Sequence, residues 1–165
     1  MCVFTSCANK MLLTKYDDVK LTINATQDTV FDTINITVCL ENNTLNDFYL
    51  LNRREVAFSN NKGLPYRLEM FFQDTIPMAH LIFVNMGNIT KKDYFLLKGG
   101  EIYTFNFDVD FKRFTREDLS NFRELNTDYG EYTLKLTYTD PFLVDKKAFR
   151  GKIESNVIRL VYKKQ

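Results

Sequence analysis

Residues 128–138 read DYGEYTLKLTY and combine a tight turn with the start of a strand. Every second residue from Tyr132 to Tyr138 is large and apolar, and this period of two is typical of a strand that buries one face. Gly130, just before the strand, supplies the backbone freedom that a sharp corner requires. The stretch therefore predicts a corner followed by a long amphipathic strand.

The same alternation recurs along the chain and predicts an all-β protein. It is clearest over residues 102–111, where aromatic residues and valine alternate with polar ones, and it is also present over residues 19–24 and 31–40. Shorter apolar runs bounded by turn residues bring the expected total to about seven to nine strands. Residues 115–125 are the exception, because their apolar residues recur at helical spacing behind a capping pattern, which predicts one short helix.

The corner also resembles a known structural motif. Asp128-Tyr129-Gly130-Glu131-Tyr132 is similar to the Asp-x-Gly-x-Tyr corner of immunoglobulin-like domains. The resemblance implies that Tyr132 begins strand F, that its hydroxyl group bonds back to the backbone of the corner, and that Asp128 makes a local side-chain bond. Residues 98–162 would then form the last three strands of an antiparallel immunoglobulin-like β-sandwich. The chain differs from antibody domains in having no tryptophan and no inter-sheet cysteine pair, which many sandwiches also lack. A jelly roll is the alternative fold.

The N-terminal residues resemble a lipid-attachment signal. Phe4-Thr5-Ser6-Cys7 is similar to the lipobox of Bacteroidetes-type bacterial lipoproteins, which implies cleavage after Ser6 and a lipid on the Cys7 thiol. A signal peptide contains an apolar stretch of about 7–15 residues, so this interpretation requires an upstream start; the alternative is an ordinary N-terminus that contains a cysteine. We expect a tether with a lipobox remnant over residues 1–17 and the sandwich domain over residues 18–165.

The composition narrows the classes of partner and the location. Lysine and arginine total 22, against 21 for aspartate and glutamate. This balance lacks the basic excess that neutralises phosphates, so we predict no nucleic-acid partner. No stretch reaches the ~18 apolar residues of a spanning helix, so the expected membrane contact is the lipid anchor at Cys7 alone. The expected location is the bacterial cell envelope, or otherwise a soluble compartment.

Residue types that catalysis or metal binding needs are sparse. The single histidine, His80, lies beside an apolar run, and neither a Gly-x-Ser-x-Gly elbow nor a phosphate loop occurs. Asp108 and Asp110 share one face of a strand, and with Asp128, or with Asp17-Asp18, they would suit Ca²⁺ or acid–base chemistry in a glycan enzyme. Strand alternation explains them as a solvated face. We therefore predict no catalytic residue, no metal and no cofactor.

Two non-enzymatic functions fit these observations. The first is an envelope-associated binding or accessory module that recognises a protein or a glycan through loops or an open sheet edge. The alternative is a soluble protein inhibitor or a structural subunit of a larger complex. A sandwich fold hosts many functions, so the pattern of strands does not choose between them.

Overall fold

The computed structural model describes residues 19–52, 56–58, 64–80, 88–116, 128–142, 144 and 148–164. Within these residues the helical segments are two short 3₁₀ turns, Lys91–Asp93 and Phe111–Arg113, so the prediction of an all-β protein is confirmed. The strands are β1 (Val19–Ala25), β2 (Thr29–Val30), β3 (Thr33–Asn42), β4 (Phe48–Leu51), β5 (Val56–Phe58), β6 (Tyr66–Phe72), β7 (Ile76–His80), β8 (Tyr94–Leu97), β9 (Ile102–Asp110), β10 (Phe114–Arg116), β11 (Gly130–Thr139) and β12 (Lys152–Tyr162).

These strands form three sheets. The first sheet has the antiparallel order β1-β3-β9. The second follows the path β10-β7-β6-β11-β12-β2, and β5 lies parallel to the start of β6. The third is a two-stranded antiparallel ribbon of β4 and β8. In this arrangement β1 and β9 are the two outer strands of the first sheet.

The chain changes sheet between β1 and β2. β1 pairs antiparallel with β3 along its whole length, from Val19 opposite Asn42 to Ala25 opposite Ile36. β2 then pairs parallel with the end of β12, with Thr29 opposite Val161. The segment from β1 to β2 therefore begins in the first sheet and ends in the second. As a result, β1 runs beside β12, although its backbone-to-backbone hydrogen bonds go to β3.

One hydrophobic cluster joins side chains from the two larger sheets. In β3 the alternation predicted from the sequence is borne out, since Ile34, Ile36 and Val38 are buried and the residues between them are partly exposed. Aromatic rings fill much of the interior, and the ring of Phe111 meets that of Tyr132 edge-on at 5.2 Å. Aromatic and β-branched residues therefore sit on the buried faces of these strands, where their shape packs well.

The helix predicted over residues 115–125 is wrong at its start. Phe114–Arg116 form β10, in which Thr115 lies opposite Ala79 of β7. Residues 117–127 lie outside the described residues. A Thr-x-x-Asp pattern favours a helix only through local hydrogen bonds, whereas pairing with β7 gives this segment backbone partners from a distant part of the chain, and threonine is a residue type that favours strands.

Candidate functional site

The corner at residues 128–132 is held by contacts within the chain. Tyr132 donates its phenolic hydrogen to the backbone oxygen of Asp128 at 2.6 Å, and its ring is fully buried. Gly130 has a φ of 148°, and a β-carbon at that position would lie 2.8 Å from Cε2 of Phe72. A side chain at Gly130 would meet both backbone strain and a collision. These contacts give the corner residues a structural role.

Asp108 and Asp110 each have local partners. Asp108 accepts a hydrogen bond from the Asn35 amide at 2.8 Å on the exposed face of the first sheet. Asp110 accepts from the backbone of Lys112 at 3.0 Å and forms an ion pair with Arg113 at 3.0 Å. Among the residues that the structure describes, no three histidine, cysteine, aspartate or glutamate side chains come together as metal ligands.

The cysteines form no site in the described part of the chain. Cys7 lies outside the described residues, as does the whole tether over residues 1–17. Cys39 is a free, partly buried thiol in β3. No helix in the described ranges is both long enough and apolar enough to cross a bilayer.

Two sets of hydrogen bonds connect the ribbon of β4 and β8 to the end of β11 and the residues that follow it. Tyr94 donates to the Asp140 carboxylate at 2.8 Å, and the backbone N–H of Phe142 donates to the same carboxylate at 2.9 Å. The backbone N–H of Leu51 donates to the Tyr138 hydroxyl at 3.0 Å, and burial raises the pKa of that hydroxyl above its usual range. These pairs satisfy polar groups in the interior, which is a structural task.

An open cleft of about 640 Å³ lies between the start of β1 and the start of β12. Its volume falls within the range of roughly 300–1,000 Å³ that is usual for ligand pockets. The side chains of Val19, Leu21 and Ile153 are buried beneath it, whereas Lys20 and Lys152 are exposed beside it. We call this feature the β1–β12 cleft; its lining residues are Val19, Lys20, Leu21, Asn43, Lys152, Ile153 and Glu154.

The β1 wall of the cleft carries backbone groups that face away from β3. Ile23 shows the direction, because both its N–H and its C=O bond to the side chain of Asn156, on β12. Backbone direction alternates along a strand, so the N–H and C=O groups of Val19 and Leu21 point to the same side. No described residue pairs with these groups of Val19 and Leu21. Among the described residues, the start of β1 is thus an outer strand edge without a backbone partner.

The opposite wall is a second strand edge, to which no described backbone group is bonded. Thr139 of β11 donates its backbone N–H to the C=O of Pro65, on the side of β6. Backbone groups of adjacent residues in a strand point to opposite sides, so those of Tyr138 face β12, where Tyr138 lies opposite Ile153. The neighbours of Ile153, which are Lys152 and Glu154, therefore direct their backbone groups away from β11 and toward the cleft. Within the described ranges no backbone group pairs with them. Two strand edges from different sheets face each other here.

Charges line the rim of the cleft on the β12 side. The carboxylate of Glu154 forms ion pairs with the ammonium groups of Lys135 and Lys152. Hydrogen bonds from Lys135, and then from Lys152, lower the pKa of Glu154 to about 2. Glu154 therefore stays ionised at any pH above about 4, and the charge pattern of this wall is constant over the physiological range.

Sequence reasoning predicted the strands of the cleft but not the cleft. The alternation of Val19, Leu21 and Ile23 identifies a strand with one buried face, yet an outer strand and an inner one share that pattern. The alternation over residues 157–161 predicts a closing strand that opens at Ser155-Asn156, whereas β12 begins at Lys152. The residues of the second wall precede the predicted strand.

Comparisons with known proteins do not place this chain in a family. No protein-family model matches the chain, and no curated protein matches it significantly. The solved structure of a β-glucosidase from Erythrobacter marinus is similar to 88% of this chain, with 12% sequence identity and a TM-score of 0.44. This chain spans 15% of the length of that enzyme's chain. A similarity of this degree carries no argument about the fold or the activity of this chain.

Proposed function

We propose that this chain is a non-enzymatic binding or accessory module that captures an extended segment of a protein partner at the β1–β12 cleft. The observation that carries the proposal is the pair of open strand edges, with Val19 and Leu21 on one wall and Lys152 and Glu154 on the other. An extended peptide satisfies such an edge by adding a strand to it, and its alternate side chains then meet the floor and the rim.

The fold that we propose for the module is an immunoglobulin-like sandwich. Its support is the bond from the Tyr132 hydroxyl to the backbone of Asp128, which is the contact expected of the corner tyrosine in such domains. In this interpretation β11 and β12 are strands F and G, and the cleft lies where the first and last strands of the sandwich part.

A proline at Leu21 tests the binding role of the β1 edge. The N–H of Leu21 faces the cleft, so Leu21→Pro removes a donor for the ligand while it spares the bonds to β3. The probe is a linear peptide of about nine residues, selected from a random phage-displayed library on the wild-type chain. We expect its affinity to fall at least about tenfold in Leu21→Pro. The reason is that a lost backbone hydrogen bond costs about 1 kcal/mol and also leaves a carbonyl group of the ligand unpaired. Titration calorimetry measures the change.

Leu21→Ala is the matched control for this substitution. It keeps the N–H but truncates the buried side chain to its β-carbon, so it lowers stability and alters the floor of the cleft; the affinity that Leu21→Pro loses beyond Leu21→Ala measures the contribution of the N–H. Equal affinities of the two variants would contradict the role of the edge. A library that yields no peptide competing at the cleft, or binding of oligosaccharides in place of peptides, would overturn the proposal.

We also propose that the module is anchored in a bacterial envelope through Cys7. The support is the similarity of Phe4-Thr5-Ser6-Cys7 to a lipobox. The intact mass of the native protein from its source cells is expected to correspond to a chain that starts at Cys7 and carries added acyl groups. A native chain that retains residues 1–6 without added mass would contradict the anchor and favour a soluble inhibitor or subunit.

A further inference from the structure

Asn156 closes one end of the β1–β12 cleft. Its side-chain oxygen accepts from the N–H of Ile23 at 2.8 Å, and its side-chain nitrogen donates to the C=O of Ile23 at 3.0 Å. A residue opposite another in an antiparallel ladder makes this same exchange of two hydrogen bonds. The Asn156 amide therefore stands where the backbone amides of an added strand would stand.

An irregularity in β12 brings Asn156 to this position. The pairing of β12 with β11 shifts between Lys135 and Thr137, so Ser155 and Asn156 together lie opposite Leu136. Ser155 takes over the ladder contact, since its hydroxyl accepts from the N–H of Leu136 at 2.9 Å. Asn156 is thereby released from the ladder and directed to β1, in the way that β-bulges redirect side chains elsewhere.

We propose that Asn156 sets the length of the segment that the cleft accepts. This inference rests on the proposed function of the cleft. Among the described residues, the unpaired outward-facing backbone groups of β1 run from Val19 to Leu21, and those of the next such residue, Ile23, are bonded to Asn156. At about 3.4 Å per residue, that edge pairs with roughly three ligand residues. A longer segment reaches Asn156 and must either leave the edge or displace the amide.

The inference predicts how affinity depends on peptide length. A selected peptide of about nine residues is truncated from either end in steps of two. Its affinity for the wild-type protein is expected to stop rising at about three residues, which is the length that the β1 edge pairs with. In Asn156→Ala the groups of Ile23 become available, so the plateau shifts by about two residues and the full-length peptide binds about tenfold more tightly, because two further hydrogen bonds form. Asn106→Ala, an exposed change on β9, is expected to match the wild type.

Hydrogen exchange at Ile23 gives a second readout that a purely structural role would not reproduce. The Ile23 amide is expected to exchange slowly in the wild type, faster in Asn156→Ala, and slowly again when Asn156→Ala binds the full-length peptide. If the wild type binds peptides but Asn156→Ala shows the same plateau and no renewed protection of Ile23, the length limit is wrong and the binding function stands. If the wild type binds no peptide at the cleft, both are wrong.

Discussion

Tyr132→Ala is expected to lower the free energy of unfolding by about 4 kcal/mol. The ring of Tyr132 is fully buried and packs against Phe72 at 5.1 Å and against Phe111 at 5.2 Å, so its removal leaves a cavity between residues of the corner and of the second sheet. Truncation of a buried aromatic ring typically costs about 3–5 kcal/mol, which is a large share of the stability of a single domain. Urea unfolding followed by circular dichroism measures the loss.

Two variants separate the contributions at this position. Tyr132→Phe keeps the ring and removes only the hydroxyl that donates to Asp128, so we expect a loss of about 1 kcal/mol. Tyr129→Ala removes the neighbouring ring, which is 53% exposed and stacks on Tyr162, and its cost is expected to be well below that of Tyr132→Ala. A Tyr132→Ala loss no larger than the Tyr129→Ala loss would contradict a central role for Tyr132 in the core.

The strands were predictable because burial leaves a local pattern in the sequence. Residues 102–111 and 132–138 alternate with a period of two, and the structure has strands β9 and β11 there. The helix over residues 115–125 was predicted from equally local signals, yet Thr115 pairs with Ala79, about 36 residues away in sequence. A local pattern could not indicate that pairing, since it depends on which strands become neighbours.

The candidate site was less predictable than the strands for the same reason. Val19 and Leu21 lie on an outer edge because β1 is a terminal strand in the order β1-β3-β9, and strand order is a property of the whole topology. In the sequence, Asn156 is an ordinary polar residue near the start of a strand. Its contact with Ile23 depends on the register shift of β12 opposite Leu136. The corner was easier to predict because Gly130 and Tyr132 act within a few residues of each other.

Gly130→Ala is expected to lower the free energy of unfolding by about 3 kcal/mol, although it adds a single methyl group. The φ of 148° is a conformation that residues with a β-carbon adopt at a cost of roughly 1–3 kcal/mol. The new methyl carbon would also lie 2.8 Å from Cε2 of Phe72, whose ring is buried and packed on Tyr132, so relief requires a shift in the core. Urea unfolding of the variant and of the wild type measures the sum.

Gly100→Ala separates backbone strain from collision. Gly100 also has a positive φ, 77°, but nothing lies within 4 Å of the position that a β-carbon would take. Its cost is therefore expected to be about 1 kcal/mol, from backbone strain alone. The larger loss at Gly130 should shrink toward that value when Phe72→Leu provides space, because the two substitutions share one contact and cannot be additive. Equal losses of unfolding free energy for Gly100→Ala and Gly130→Ala would contradict the close packing of Gly130 against Phe72.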